Sequence, residues 1–196
     1  MLLSIFLALF SFNKQQVRIV IDNYLRHIAL LAFGLLAAYS TAKVEKTASD
    51  GFLIHIEQEW PISASRAYQG LLQIDAWWDK RHTWFGRSST LRLDNYAGGC
   101  FCERAGNKSA VHMRVIFVHP GREIRLAGAL GPLQTMGANG LMRWQFSPLT
   151  EQRTRVTLTY LVRGASWQNL AEIAQPVNHV LSAQFQSLGD YLMADK

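Results

Sequence analysis

The chain has 196 residues, of which 49% are hydrophobic and 17% are charged, and its formal net charge is +6 at pH 7. This composition is typical of a folded chain and excludes a disordered one, and the length suits one domain plus an extension. The basic residues are scattered instead of concentrated in a run, so we expect no nucleic-acid partner.

Residues 1–42 predict a signal peptide. They contain two apolar runs, 1–12 and 28–39, and each is shorter than the roughly 20 residues that span a bilayer. The second run follows Arg26 and ends in small residues, as in a secretory signal cleaved near Ala42. We therefore expect a periplasmic or secreted protein. The alternative is an uncleaved anchor in the inner membrane, which would be its sole contact with a membrane.

Residues 43–50 are polar and predict a linker, followed by a single domain at 51–196. Apolar residues at Phe52, Ile54 and Ile56 alternate with polar ones, which is the pattern of a half-buried strand. Two short helices are predicted next, near 66–74 and 75–79. Six further strands are predicted at Ser89–Leu93, Cys100–Arg104, Ala110–Val118, Glu123–Ala129, Leu141–Ser147 and Arg155–Val162.

The C-terminal part predicts one long helix, Trp167–Met193, because apolar residues recur there at steps of three and four. Pro176 lacks a backbone N–H, so we expect a kink or a break at that position. The order of elements predicts an α+β fold. A curved antiparallel sheet of six or seven strands would bury its apolar face against this helix.

Two pairs of residues lie close together in the sequence. Cys100 and Cys102 would be about 6.5–7 Å apart on a regular strand, at or beyond the limit for a disulfide. We therefore expect structural thiols in a wall or core, with a redox role as the alternative. Trp77 and Trp78 cannot both face inward from one helix or strand. We expect Trp77 in the core and Trp78 at a pocket, with both in the core as the alternative.

Several motifs in this order resemble the SRPBCC superfamily, which includes START domains, plant Bet v-type allergens, polyketide cyclases/dehydrases and relatives of a chaperone-ATPase activator. They are Trp77-Trp78, the diglycine Gly98-Gly99 and the strand–turn–strand of 115–126. The segments WWDKRHTWFG, GGCFCE, VHMRV, ALGPLQTMG and VNHVLSAQFQSL are similar to those of a secreted bacterial branch. The resemblance implies a helix-grip fold over about 51–192.

The same resemblance implies a ligand cavity between the sheet and the C-terminal helix. Inward side chains would then be either pocket wall or plain core. As ligand-binding residues we expect Trp78, Leu93, Met113, Leu126, Met142, Trp144, Tyr160 and Phe185.

Three ionisable residues are the candidates for chemistry: His82, Glu103 and His112. A histidine titrates near neutral pH and can act as a base, although the favoured interpretation of His82 is a structural residue beside Thr83. Glu103 could face outward as a surface charge. If it faces inward, it is a buried carboxylate that needs a partner such as His82, His112 or Arg125.

A glycine-rich loop at 128–140 lacks the spacing of a phosphate-binding loop, so we expect no nucleotide. A flexible apolar loop over a cavity mouth is the favoured interpretation, and an irregular connection is the alternative. Leu133 and Met136 are expected to be exposed in it. The remaining histidines lack ligand spacing, and we expect neither a metal nor a cofactor.

The leading hypothesis is therefore a domain that binds a small hydrophobic ligand, either a lipid, a polyketide-like or an aromatic molecule. The alternative is an enzyme of cyclase or dehydratase type, with His82 or His112 as base and Glu103 as acid. A structural or partner-binding envelope protein is a weaker third hypothesis.

Overall fold

The computed structural model describes residues 41–194. Within this range the fold is α+β, and eight strands form one curved antiparallel sheet with the order β1-β2-β8-β7-β6-β5-β4-β3. The predicted signal peptide lies outside the described residues, apart from its last two. The strands are β1 (Thr41–Ala48), β2 (Gly51–Trp60), β3 (Thr90–Leu93), β4 (Cys100–Ala105), β5 (Lys108–His119), β6 (Glu123–Ala127), β7 (Asn139–Thr150) and β8 (Arg153–Arg163).

Four α-helices lie in the described range: α1 (Ala64–Leu72), α2 (Ile74–Trp77), α3 (Pro132–Thr135) and α4 (Ala171–Ala194). The Ser63 hydroxyl caps α1 by accepting the N–H of Arg66 at 3.3 Å. Helix α4 packs against β1, β2, α1 and α2. Between residues 41 and 194, no helix is both long and apolar enough to cross a membrane.

Helix α4 is continuous through Pro176, so of the predicted kink or break the structure excludes the break. Pro176 is the sixth residue of this helix, so its missing N–H removes a main-chain bond to Glu172 only, close to the N-terminus. The rest of the helix retains its bonds and its buried face, which includes Leu181, Phe185 and Leu188.

The sheet has eight strands instead of the predicted six or seven, because residues 41–48 form β1 where a linker was expected. This strand pairs along β2 at the edge of the sheet, with a register shift between Val44 and Lys46. An edge strand that is exposed on both faces has no apolar alternation. In β1 only Val44 is partly buried, so the sequence pattern resembled a linker.

The concave face of the sheet and the helices enclose one hydrophobic core. Within it the rings of Trp144 and Phe185 stack at 5.7 Å between centroids, and Trp60 lies 5.1 Å from Phe185. Trp77 and Trp78 are both buried, which was one of the two alternatives for this pair. Helix α2 ends at Trp77 and Trp78 is extended, with φ −71° and ψ 127°, so the two side chains do not follow one periodic pattern.

Cys100 and Cys102 form a disulfide, so the prediction of free thiols is wrong. Their Cα atoms are 5.4 Å apart, which is closer than in a regular strand and within the range of a disulfide. The register of β4 against β5 shifts between Phe101 and Cys102. A single strand read in isolation gives no sign of such a shift, because the shift is a property of the pair of strands.

Candidate functional site

A cavity of about 370 Å³ lies between α4, the start of β5 and two loops. Its wall is largely apolar and also includes the exposed residues His82 and Trp84. The lining residues are Trp78, Arg81, His82, Thr83, Trp84, His112, Leu130, Gly131, Pro132, Ile173, Pro176, Val177, Val180 and Leu181.

A β-bulge turns His112 into this cavity. Phe101 pairs with Met113, whereas the next residue of β4, Cys102, pairs with Val111, so His112 is the extra residue on β5. In a regular strand neighbouring side chains face opposite sides, yet His112 and Met113 are both buried. Bulges of this kind re-aim side chains and are common beside active sites. The bulge is therefore what brings the imidazole of His112 to the cavity.

The side chain of Gln134, on α3, stabilises the bulge through hydrogen bonds that are not part of the pairing between β4 and β5. Its side-chain amide donates to the carbonyl oxygens of Val111 at 2.8 Å and of His112 at 3.1 Å. The bulge disturbs the regular hydrogen bonding between strands, and these two bonds satisfy the carbonyls at that point. The glycine-rich loop thus supports the position of His112 directly.

Glu103 faces inward and lies behind His112. It is 1% exposed, and its Oε2 atom is 3.0 Å from His112 Nε2. The backbone N–H of Trp84 donates to the carboxylate at 2.9 Å and that of Phe85 donates at 2.7 Å. Glu103 therefore orients the imidazole and also fixes the loop that follows His82. Of the three partners expected for it, His112 is the one that it meets, since Arg125 is paired with Glu123.

The electrostatic environment defines the protonation of this pair. Burial raises the pKa of Glu103, but the N–H groups of Trp84 and Phe85 together with His112 outweigh it, so the pKa lies below its usual value. Burial lowers the pKa of His112, and the attraction of Glu103 offsets this only in part. At neutral pH the pair is thus a carboxylate and a neutral imidazole.

The carboxylate also selects the tautomer of His112. An ionised carboxylate only accepts hydrogen bonds, so Nε2 carries the proton and Nδ1 is the basic atom. Among the residues that the structure describes, Nδ1 has no hydrogen-bond partner. His112 can therefore accept a hydrogen bond or a proton from a molecule in the cavity. Glu103 is already an acceptor of three hydrogen bonds, so its predicted role as acid does not match this geometry.

The rim between residues 78 and 86 is held by several hydrogen bonds. The indole N–H of Trp78 donates to the carbonyl of His82 at 3.2 Å, and the N–H of Asp79 donates to Oε1 of Gln184 at 2.9 Å. Hydrogen bonds from Arg81 lower the pKa of Asp79 to about 2, so this carboxylate balances the charge of Arg81 at the rim. The rim is thus tied to α4, and the charge of Arg81 is balanced within it.

The loop at 128–140 forms another part of the cavity wall. The Leu130 N–H donates to the buried hydroxyl of Tyr160 at 3.2 Å, and Leu130 and Pro132 line the cavity. Leu133 is fully buried, which corrects the expectation that it is exposed, and Met136 is partly buried. Leu133 belongs to α3, whose inner side packs into the core.

The structure brings together Trp78, His82 and His112 at this cavity, with Glu103 directly behind. The other predicted ligand-binding residues belong to the packed core instead of to the wall of this cavity. They are Leu93, Met113, Leu126, Met142, Trp144, Tyr160 and Phe185. Their bulky side chains fill the space between the sheet and α4, so the cavity forms beside them.

Sequence reasoning did not select the wall that α4 contributes. Ile173, Val177 and Leu181 line the cavity at steps of four residues along this helix. The periodic pattern contained them, but it did not distinguish residues that face a cavity from those that face the core. Between residues 41 and 194 the structure has no cluster of three or more side chains suited to a metal ion.

No family model matches the chain, and no curated protein is significantly similar to it in sequence. Solved structures are similar in fold. A protein from Rhodobacter sphaeroides is 11% identical, covers 80% of this chain and 100% of its own, and gives a TM-score of 0.56. An Arthrobacter aurescens protein is 14% identical, with 78% and 91% covered and a TM-score of 0.55. Protein Ms6760 from Mycobacterium smegmatis is 14% identical, with 81% and 100% covered and a TM-score of 0.54. At such identities the likeness shows a shared α+β fold with a sheet and a C-terminal helix.

Proposed function

We propose that this domain binds a small, mainly apolar molecule in the cavity between α4 and the start of β5. The observation that carries the proposal is the cavity itself, whose volume of about 370 Å³ lies in the usual range of ligand pockets. Its apolar wall would supply affinity through burial, and Nδ1 of His112 would orient a ligand that carries one hydrogen-bond donor. A lipid, polyketide-like or aromatic molecule with a hydroxyl group has this chemistry.

We also propose that the chain is an exported member of the SRPBCC superfamily. The order of the elements and the motifs from Trp77 to Leu188 support the family. The Cys100–Cys102 disulfide supports export, because disulfides persist in oxidising compartments such as the periplasm. Mass spectrometry of the protein from its host would test export by locating the mature N-terminus near Lys43.

Filling the cavity tests the binding proposal. The probe is 1-anilinonaphthalene-8-sulfonate, whose fluorescence rises in apolar pockets. Val177→Trp would place a large ring in the cavity, and we expect probe affinity to fall about tenfold or more, since at least 1.4 kcal/mol of apolar contact would be lost. Ile116→Trp is the matched control, because Ile116 is 49% exposed and does not line the cavity. Equal binding by wild type and Val177→Trp, with both folded by circular dichroism, would overturn the proposal.

A second function, general base catalysis, is favoured by the 3.0 Å contact between His112 and Glu103. Nδ1 of His112 would take a proton from a carbon next to a carbonyl group, and Glu103 would stabilise the imidazolium that forms. Benzoylacetone in D2O provides the test, because exchange of its central protons is followed by NMR. We expect the wild type to exceed the buffer rate and His112→Gln to match it. A variant as active as the wild type would refute this function.

A further inference from the structure

The Cys100–Cys102 disulfide encloses a single residue, Phe101. Closing so short a loop removes little conformational entropy from the unfolded chain, so the bond contributes little to global stability by this route. Its effect is expected to be local. The bond lies on the strand that carries Glu103 and opposite the bulge that carries His112.

The disulfide spans the step at which the register shifts. Phe101 pairs with Met113 and Cys102 pairs with Val111, so the bond between Cys100 and Cys102 bridges the step from Phe101 to Cys102 at which the bulge lies. It holds their Cα atoms at 5.4 Å, whereas a regular strand would separate them by about 6.5–7 Å. Without the bond, β4 can extend at this step, and the bulge can move along the strand pair. A displacement of one residue turns a side chain to the opposite face.

Phe101 connects the register shift between β4 and β5 to the cavity. Its ring centroid is 4.7 Å from that of His112 and 5.2 Å from that of Trp78, and both of these residues line the cavity. Glu103 follows Cys102 directly and holds His112 Nε2 at 3.0 Å. Extension of β4 at Phe101 would therefore move the polar pair and one aromatic wall together.

The surroundings of the two sulfur atoms differ, and they favour attack by a reductant on one sulfur and departure of the other. Cys102 is partly exposed, whereas Cys100 is 5% exposed. The Nη2 atom of Arg92 is 3.8 Å from Cys100 Sγ. The Nε atom of the same guanidinium forms an ion pair with Asp94 Oδ1 at 2.9 Å. A nearby cation stabilises a thiolate. Cys100 is thus the better leaving group and Cys102 is the accessible target.

We propose that Cys100–Cys102 is a reducible site for a dithiol, and that its reduction weakens ligand binding by releasing the bulge at His112. A thiolate of the dithiol attacks Cys102 Sγ, the bond between the cysteines breaks, and Cys100 leaves as a thiolate beside Arg92. The second thiol then attacks the mixed disulfide and displaces Cys102. The dithiol loses two electrons and two protons and becomes a disulfide, while both cysteines become thiols. The effect on ligand binding rests on the proposed function.

The experiment compares oxidised protein with protein reduced by dithiothreitol or by a phosphine. Alkylation with iodoacetamide and mass spectrometry measure the extent of reduction. Nitrogen-15 NMR of the His112 ring, assigned with His112→Gln, measures the site without any ligand. We expect the His112 signals to shift on reduction and to return on reoxidation. We also expect affinity for 1-anilinonaphthalene-8-sulfonate to fall about tenfold, the value of one lost hydrogen bond.

Unchanged His112 signals in fully reduced, folded protein would overturn the proposal. So would a complete loss of circular dichroism on reduction, since the bond would then hold the whole fold. Cys100→Ser/Cys102→Ser is expected to match reduced wild type. If oxidised protein binds no probe, the proposed function fails, while the His112 signals still decide the redox coupling.

A kinetic test addresses the role of Arg92. Arg92→Gln is expected to slow reduction several-fold, because the Cys100 thiolate loses its neighbouring cation. Arg104→Gln is the matched control, since Arg104 is exposed on β4, the strand of the two cysteines, and makes no hydrogen bond with either sulfur within residues 41–194. Equal rates of reduction for wild type and Arg92→Gln would contradict the proposal that Cys100 is the leaving thiolate.

Discussion

Glu103→Gln tests whether the buried carboxylate holds the site together. In the wild type the Oε2 atom accepts from Trp84 N–H and from His112 Nε2–H, and Oε1 accepts from Phe85 N–H. Glutamine has the same shape but presents one oxygen and one NH2 group. Whichever way the amide is oriented, one backbone N–H of the loop faces a donor and loses its acceptor.

The expected decrease in the free energy of unfolding of Glu103→Gln follows from that lost hydrogen bond. An N–H that loses its acceptor in a partly buried position costs about 1–3 kcal/mol. Because the described domain has about 150 residues, a loss of about 2 kcal/mol in the free energy of unfolding lowers Tm by about 4–8 °C. The aromatic residue Trp84 lies on the affected loop, so its environment should change as well.

Urea unfolding followed by tryptophan fluorescence measures the free energy, and nitrogen-15 NMR reports the tautomer of His112. Glu59→Gln is the control, since Glu59 accepts hydrogen bonds from Arg153 and Arg155 near the surface and its loss should cost less. If Glu103→Gln is as stable as the wild type and keeps the same His112 signals, the argument for Glu103 as the positioning residue is refuted.

Three more predictions concern the same region. Because burial lowers the pKa of His112, the unfolded chain takes up a proton first as pH falls below about 6.5, so stability should decrease from that pH downward. Unfolding of wild type and His112→Gln at pH 5 and pH 7 measures this, and an equal pH dependence in both would contradict it. Tyr160→Phe removes the acceptor of the Leu130 N–H, so we expect a cost of about 1–3 kcal/mol in urea unfolding and weaker probe binding; unchanged stability would show that this bond does not hold the loop. Gly98 has φ +93°, so Gly98→Ala should lower the free energy of unfolding by about 1–2 kcal/mol, and a neutral result in urea unfolding would show that the turn relaxes without cost.

Seven of the eight strands in the described range were predicted from the sequence, five of them with a clean alternation of apolar residues. Strands β2, β6, β7 and β8 each bury one face against the core, so burial imposes a period of two on their sequences. Strand β1 was not predicted, because it lies at the edge of the sheet and neither of its faces is buried against the core.

The candidate site was only partly predictable, because its geometry depends on pairing between strands. The sequence left an inward and an outward Glu103 as alternatives, and the structure buries Glu103 together with Phe101. The inward position of His112 and the close approach of Cys100 and Cys102 both arise where β4 and β5 shift register. Such a shift cannot be read from either strand alone.

The bulge at His112 also has a genetic consequence. Without that one residue, Val111 and Met113 would be neighbours, and their pairing with Cys102 and Phe101 would continue without interruption. Deletion of a single codon would thus restore a regular ladder and leave the apolar residues of both strands on their present faces. The reverse event, insertion of one histidine codon, would place an imidazole in front of an existing carboxylate. One in-frame codon therefore decides whether an imidazole stands in front of Glu103 at this cavity.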